Sequence, residues 1–73
     1  MRPNAFRDHL RDLLRERGIS TYQFEADTGI ARRIFYTDRG SHRRATLMAI
    51  AYYLGMRVED LVAGTDAENI WYQ

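Results

Sequence analysis

Five arginines lie close together in one segment of the chain, and their guanidinium groups are the side chains best suited to bind a ligand. They are Arg32, Arg33, Arg39, Arg43 and Arg44. Residues 31–44 contain one acid, Asp38, and carry a net charge of +4, whereas residues 1–30 are neutral and residues 45–73 carry −3. A guanidinium presents paired N–H donors that match phosphate and carboxylate oxygens. A positive field confined to one segment therefore indicates a polyanionic partner.

The pattern of glycines and apolar residues predicts that short helices position this arginine cluster. Five glycines each follow a stretch in which apolar residues recur at helical spacing, and glycine readily adopts the left-handed conformation that ends a helix. These glycines are Gly18, Gly29, Gly40, Gly55 and Gly64. The sequence therefore predicts an all-α fold of five short helices, and the third helix, residues 31–39, carries the first three arginines of the cluster.

The second predicted helix has the most complete start signal in the chain. Ser20 and Gln23 form a capping box, in which the Ser20 hydroxyl accepts from the Gln23 backbone N–H and the Gln23 side chain reaches back to Ser20. Ile19 and Phe24 occupy the positions of a hydrophobic staple. A short helix that stops at Gly29, followed by a short basic helix, is typical of proteins that read DNA.

Composition restricts the other functional classes. We expect one domain, residues 1–64, followed by a tail, residues 65–73. The chain has no cysteine, its histidines His9 and His42 are far apart, and it has no glycine-rich phosphate loop. We therefore expect no enzyme activity, no metal and no cofactor, and no small-molecule ligand is evident. No apolar run approaches the ~20 residues of a membrane span, and no secretory signal is evident, so we expect a cytoplasmic protein without membrane contact.

Four short motifs point to a known protein family. They are Gly-Ile-Ser-Thr-Tyr-Gln-Phe at 18–24, Thr-Gly-Ile at 28–30, the helix at 46–55 that ends in Leu-Gly, and Val-Glu-Asp-Leu at 58–61. Across residues 6–63 the chain resembles the Cro and phage-repressor (XRE-type, lambda-repressor-like) helix-turn-helix proteins. The resemblance implies a compact five-helix bundle whose second and third helices bind DNA. It also implies a sequence-specific, repressor-like transcription regulator that binds an inverted-repeat operator in double-stranded DNA as a homodimer.

Three residues depart from the family pattern. Glu25 stands where the family usually has alanine, so we expect its carboxylate to turn outward or to pair with Arg32 or Arg33. Asp38 stands where an apolar residue normally closes the third helix, which predicts an earlier end or a changed angle for that helix. Arg57 replaces the usual Ser or Thr cap of the fifth helix.

The resemblance assigns the arginine cluster to a DNA interface. In the major groove, Arg32 and Arg33 can each fork onto guanine O6 and N7, with a phosphate contact as the alternative for either. The start of the second helix is expected against a phosphate. Arg43 and Arg44 lie in the segment that follows the DNA backbone in the family, where contacts position rather than specify. The predicted DNA-binding residues are Thr21, Tyr22, Arg32, Arg33, Tyr36, Thr37, Arg39, Arg43 and Arg44.

Two further expectations concern protein contacts. Val62, Ile70, Trp71 and Tyr72 are apolar, lie outside the helix-turn-helix unit and have no evident partner within it. We expect them to pair two copies of the chain, with a tail folded back on its own core as the alternative. The alternative function is a helical protein-interaction module without DNA-binding activity, in which the arginine cluster binds an acidic partner.

Overall fold

The computed structural model describes residues 5–36 and 43–73, which form helices and turns and contain no strand. The α-helices are α1 (Phe6–Glu16), α2 (Thr21–Thr28), α3 (Arg44–Leu54), α4 (Val58–Val62) and α5 (Glu68–Trp71). A 3-10 helix covers Arg32–Phe35, between α2 and α3. The predicted all-α fold is therefore confirmed, although the α-helices do not coincide with the five predicted segments.

The core forms where each helix turns its apolar residues inward. Phe6, Leu10 and Leu14 recur every fourth residue along α1, so all three lie on one face, and all three are buried. Phe24 of α2 packs edge to face against Phe35 of the 3-10 helix, with ring centroids 5.6 Å apart. This aromatic pair anchors the 3-10 helix to the core.

Half of the predicted capping box forms at the start of α2. The Ser20 hydroxyl accepts from Gln23 N at 3.0 Å, as predicted. The Gln23 side chain does not return to Ser20, because its Nε2 donates to Asp27 Oδ1 at 2.6 Å, one turn further along the helix. Gly29 ends α2 with a φ of 74°, in the left-handed region where a side chain would be strained.

The prediction of an α-helix over residues 31–39 is wrong in the described part of the chain. A 3-10 helix starts at Arg32 and ends at Phe35, so the earlier end that Asp38 predicts is observed. The carbonyl of Phe35, the last residue of the 3-10 helix, accepts from Arg11 Nη2 at 3.0 Å. This bond fastens the end of the element to α1. Thr37 and Arg39 lie outside the described residues.

The tail folds back on the core. Phe6 N donates to Asp66 Oδ1 at 3.0 Å, which ties the tail to the first turn of α1. Val62 is buried, and Ile70 and Trp71 pack against the core. α5, which carries Ile70 and Trp71, packs on α3 and α4, so the tail folds back on its own core as the alternative predicted, while Tyr72 stays exposed. The division into residues 1–64 and 65–73 stays a prediction.

Candidate nucleic-acid interface

The first turn of α2 forms one side of the candidate interface. Thr21 is its first residue and is half-buried, and Tyr22 follows with 67% of its surface exposed. A helix N-terminus carries the positive end of the helix dipole and N–H groups that lack intrahelical partners, so it suits an anion such as phosphate. Both predicted residues of this turn are accessible to such a ligand.

Arg32 lies beside this turn and is held by α2. Its backbone N–H donates to Glu25 Oε2 at 2.8 Å, and its side-chain Nε donates to Glu25 Oε1 at 3.3 Å. The guanidinium carbon lies 4.0 Å from the centroid of the Tyr22 ring. The expected pairing of Glu25 with a nearby arginine is therefore present, and its partner is Arg32.

The surroundings of Arg32 favour its charged form. Partial burial lowers the pKa of the guanidinium, but the adjacent Tyr22 and the hydrogen-bonded carboxylate of Glu25 together raise that pKa above its ordinary value. Arg32 is therefore cationic at any pH at which the domain would meet DNA.

Arg33 and Tyr36 extend the surface beyond Arg32. Arg33 is exposed and makes no ion pair within the described ranges. Tyr36 is 67% exposed, and the Arg11 guanidinium lies 5.5 Å from its ring centroid. Ile34 and Phe35 point inward and are buried, so the basic side chain of Arg33 lies on the outer side of an element whose inner side is apolar.

The two arginines at the start of α3 differ in the contacts that their side chains make within the chain. Arg43 is the N-cap residue of α3 and is exposed. Arg44 lies over the Trp71 ring, 4.3 Å from its centroid, and its Nη1 is 3.5 Å from the Gln73 carbonyl oxygen. The structure therefore leaves Arg43 available to a ligand and commits part of Arg44 to the tail.

A comparison with protein families decides what kind of domain presents this surface. A family model described as the Cro/C1-type HTH DNA-binding domain matches residues 9–66, most of the chain. The chain belongs to this family. Searches of curated proteins and of solved structures each found no significant match. The predicted resemblance is therefore confirmed, and the family supports, in general terms, a DNA-binding regulator.

The resemblance assigns the helix-turn-helix unit to the second and third helices of the chain, which in the structure are α2 and the 3-10 helix. The structure brings Tyr22 and Arg32 into contact and places Thr21 in the same first turn of α2. Arg33 and Tyr36 follow on the next element, and Arg43 begins α3. Thr37, Arg39 and His42 lie outside the described residues. The DNA-binding roles of these side chains stay predictions.

Two contacts that shape the candidate interface are not predicted by the sequence. The first is the bond from the Arg32 backbone N–H to Glu25, because the sequence predicts only a pairing of the two side chains. The second is the bond from Arg11 to the Phe35 carbonyl, 24 residues away. No local spacing signals a contact of that kind, because it depends on how α1 crosses the 3-10 helix.

A second surface, on α3, is apolar and exposed. Its residues recur at helical spacing on the side opposite the buried face, and they are Ala45, Met48, Ala49 and Tyr52. Tyr52 is 91% exposed. A cleft of about 380 Å³ between this stripe and α2 is lined by Asp27, Thr28 and Tyr53 in addition to two of the stripe residues.

Among residues 5–36 and 43–73, no group of His, Asp and Glu side chains could hold a metal ion. None of the helices in those ranges is long and apolar enough to cross a membrane. His9 lies on α1 with its Nε2 atom buried and without a hydrogen-bond partner in the described ranges, remote in sequence from the interface residues.

Proposed function

We propose that the chain is a cytoplasmic, sequence-specific transcription repressor that binds an inverted-repeat operator in double-stranded DNA as a homodimer. It reads the major groove with the 3-10 helix Arg32–Phe35 and its flanks, in place of the predicted helix 31–39. The observation that carries the proposal is the 4.0 Å contact between the Arg32 guanidinium and the Tyr22 ring, in a domain of the Cro/C1 type. This contact joins the basic turn and the positive end of α2 into one continuous surface.

The electrostatics of this surface support a polyanionic ligand. Arg33 and Arg43 are exposed, make no ion pair in the described ranges and belong to the segment with a net charge of +4. The acidic residues of α4 and α5 belong to the segment with a net charge of −3. This separation orients the domain in the field of DNA. Each phosphate contact is expected to add ~0.9 to the slope of log affinity against log salt concentration.

The proposed roles follow from position. Arg32 and Arg33, at the start of the 3-10 helix, are the candidates for base edges in the major groove. Thr21, Tyr22 and Arg43 are proposed to contact phosphates. The predicted contacts of Tyr36, Thr37, Arg39 and Arg44 are retained as part of the proposal, with Arg44 in competition between phosphate and the Trp71 ring.

A homodimer is proposed because one copy presents few groups to the bases. The 3-10 helix of one copy has 4 residues, two of which are buried, so it can make few base contacts. Two copies related by a two-fold axis would read half-sites about 34 Å apart, one helical turn of DNA. In the tail, Tyr72 is 63% exposed and is the residue of the predicted set most available to a second copy.

Electrophoretic retardation of duplex DNA tests the proposal. The wild type should retard random-sequence duplexes weakly and a selected sequence strongly, with both affinities lower at higher salt. Arg33→Ala should weaken retardation. Arg57→Ala should not weaken it, although it also removes an exposed arginine, the N-cap residue of α4, which pairs with Asp60. This pair of variants removes the same charge from two different surfaces.

The absence of retardation at low salt, for both random and genomic fragments, would refute DNA binding by this chain. The alternative, a helical protein-interaction module, would then stand, and the exposed apolar stripe on α3 is the observation that favours it. Binding that ignores sequence would refute the sequence-specific part of the proposal alone.

A further inference from the structure

One carboxylate of α2 controls both the backbone and the side chain at the start of the 3-10 helix. Glu25 Oε2 accepts the Arg32 backbone N–H at 2.8 Å, and Glu25 Oε1 accepts Arg32 Nε at 3.3 Å. A four-residue helix has little stability of its own, because nucleation of a helix is unfavourable. The first bond therefore caps the 3-10 helix, and the second orients the side chain that leaves from its first residue.

The Tyr22 ring restricts the same guanidinium from a second direction. Tyr22 and Glu25 are three residues apart on α2 and so lie on one face of it. The guanidinium carbon lies over the Tyr22 ring, 4.0 Å from the ring centroid, a distance at which cation–π attraction is effective. Neither hydrogen bond to Glu25 uses Nη1 or Nη2. These two nitrogens form the terminal fork that can donate to guanine O6 and N7 together.

The charges of the two neighbouring arginines separate their roles. The Arg32–Glu25 pair has no net formal charge, so its attraction for phosphate is weak, while the direction of its terminal fork is fixed. Arg33 has no ion pair in the described ranges and keeps its full charge and its freedom to move. Directional bonds provide base recognition, whereas net charge provides affinity that is independent of sequence.

We infer that Glu25 is a specificity-determining positioning residue, which holds Arg32 as the guanine reader and leaves Arg33 to bind phosphate. The inference rests on the proposed function, since it assigns roles within the same DNA interface. It predicts that Arg32 contributes mainly to discrimination between sequences and that Arg33 contributes mainly to affinity for any sequence.

Glu25→Gln tests the inference, because the amide keeps the shape of the side chain, loses the charge and retains one acceptor oxygen for two donors. The ratio of affinity for the selected site to affinity for random DNA should fall roughly 10-fold, within the range of one good base contact. Affinity for random DNA should rise at the same time, and its salt slope should steepen by ~0.9, because Arg32 is released to phosphate. A residue that only stabilised the fold would not change the two affinities in opposite directions.

Asp60→Asn is the matched control. Asp60 Oδ2 pairs with Arg57 Nε at 3.3 Å, the same atom type and distance as in the Glu25–Arg32 pair, but on the exposed surface of α4. This variant removes an equal charge and should leave the sequence preference unchanged. The melting temperature of each variant, measured beside its DNA affinity, establishes that the compared proteins are folded.

Arginine variants provide a second measurement that does not depend on the stability of Glu25→Gln. Arg32→Ala should abolish preference at one G·C pair, and the salt slope should stay nearly unchanged when Glu25→Gln is combined with it, because the neutral pair is then removed without a net change of charge. Arg33→Ala should keep that preference and reduce the slope by ~0.9. The double variant Glu25→Gln/Arg32→Ala should show the same sequence preference as Arg32→Ala alone, because Glu25 acts through Arg32.

Three results would overturn the inference. They are an unchanged affinity ratio in Glu25→Gln, equal losses on selected and random DNA in that variant, and an exchange of the two arginine phenotypes. Each of these results can be measured only if the wild type prefers one DNA sequence. Each would therefore refute the role of Glu25 without refuting the proposed function. A wild type that binds no DNA would refute both.

Discussion

Arg11 binds the carbonyl of the last residue of the 3-10 helix. Replacing Arg11 with methionine tests how much this bond stabilises the fold. Arg11 Nη2 donates to the Phe35 carbonyl at 3.0 Å in a partly buried position. Its guanidinium carbon also lies 5.8 Å from the Phe35 ring centroid and 5.5 Å from that of Tyr36. Methionine keeps the apolar stem of the side chain and removes every donor and the charge.

The expected loss follows from these contacts. A hydrogen bond from a charged donor contributes about 1.5–3 kcal/mol, and a cation–π contact at an accessible site contributes about 0.5–1 kcal/mol. The contributions overlap because one guanidinium makes all of them, and water can replace part of the bond to the carbonyl. We therefore expect Arg11→Met to lower the free energy of unfolding by about 2 kcal/mol. For a domain of this size, that loss lowers Tm by roughly 8–16 °C.

Thermal unfolding followed by far-ultraviolet circular dichroism measures this loss, and Arg15→Met is the matched control. Arg15 lies on the same helix, its side chain is 80% exposed, and it pairs with Asp12 at 3.7 Å. Exposed pairs contribute at most about 1 kcal/mol, so this control should melt within a few degrees of the wild type. Arg11→Met should also bind DNA more weakly than Arg15→Met at a temperature where both are folded, because it loosens the element that contacts DNA.

Melting of the two variants within one or two degrees of each other would refute this reasoning. The bond from Arg11 to the Phe35 carbonyl would then contribute little to the stability of the domain. A large loss of stability in Arg11→Met with unchanged DNA affinity would instead show that the bond stabilises the core but does not position the DNA-contacting turn.

Three further outcomes are expected. Ser20→Ala removes the cap of α2 and should cost about 0.5–2 kcal/mol, measured as a lower Tm, with little change in DNA affinity well below the melt; an unchanged Tm would show that the cap contributes nothing. Hydrogen bonding to Asp27, with burial and the charge of Asp27 adding, raises the pKa of Tyr53. Its stabilising contribution should therefore be complete below the unfolded pKa, about 10, and be lost as pH rises through the higher folded pKa. Urea unfolding should accordingly show Tyr53→Phe less stable than the wild type at neutral pH and at least as stable as it above the folded pKa, because ionised Tyr53 is repelled by Asp27; a constant difference would contradict the assignment. In sedimentation equilibrium Tyr72→Ser should weaken self-association and Tyr52→Ser should not; the reverse would place the interface on α3, and a wild type that is monomeric at tens of micromolar, free and on DNA, would refute the dimer.

The parts of the fold set by local interactions could be predicted from the sequence. The Ser20 cap acts across three residues, and Gly29 and Gly55 end their helices through their own left-handed backbone conformation. The buried face of α1 follows from its four-residue spacing. In each case the deciding contact lies within about one helical turn or within one apolar face.

The parts set by contacts distant in sequence could not be predicted. The predicted reach of Gln23 back to Ser20 lost to Asp27, which offers a charged acceptor on the same helix face. The sequence does predict an earlier end of the third helix from Asp38, but not the bond from Arg11 to the Phe35 carbonyl, 24 residues away. Similarly, the Trp71 ring is covered by Arg44, which was predicted only as a DNA contact. Side-chain bonds across the fold compete with the local pattern, and their outcome depends on how the helices cross.

The turn that we propose contacts DNA is thus specified by its neighbours more than by its own sequence. Four residues of 3-10 helix cannot hold their shape unaided. Glu25 of α2 binds the first residue of the turn, Arg11 of α1 binds the carbonyl of the last, and Phe24 packs against the ring of that last residue, Phe35. Each contact comes from a helix that buried side chains anchor in the core, so a loss of core packing should alter the direction of Arg32. Because both polar bonds use charged side chains, the same residues that define the turn also contribute to the charge that the proposed interface presents to phosphate. Stability and sequence preference are therefore coupled at Glu25 and Arg11, and are separable at Ser20, whose cap lies on α2 and does not touch the turn.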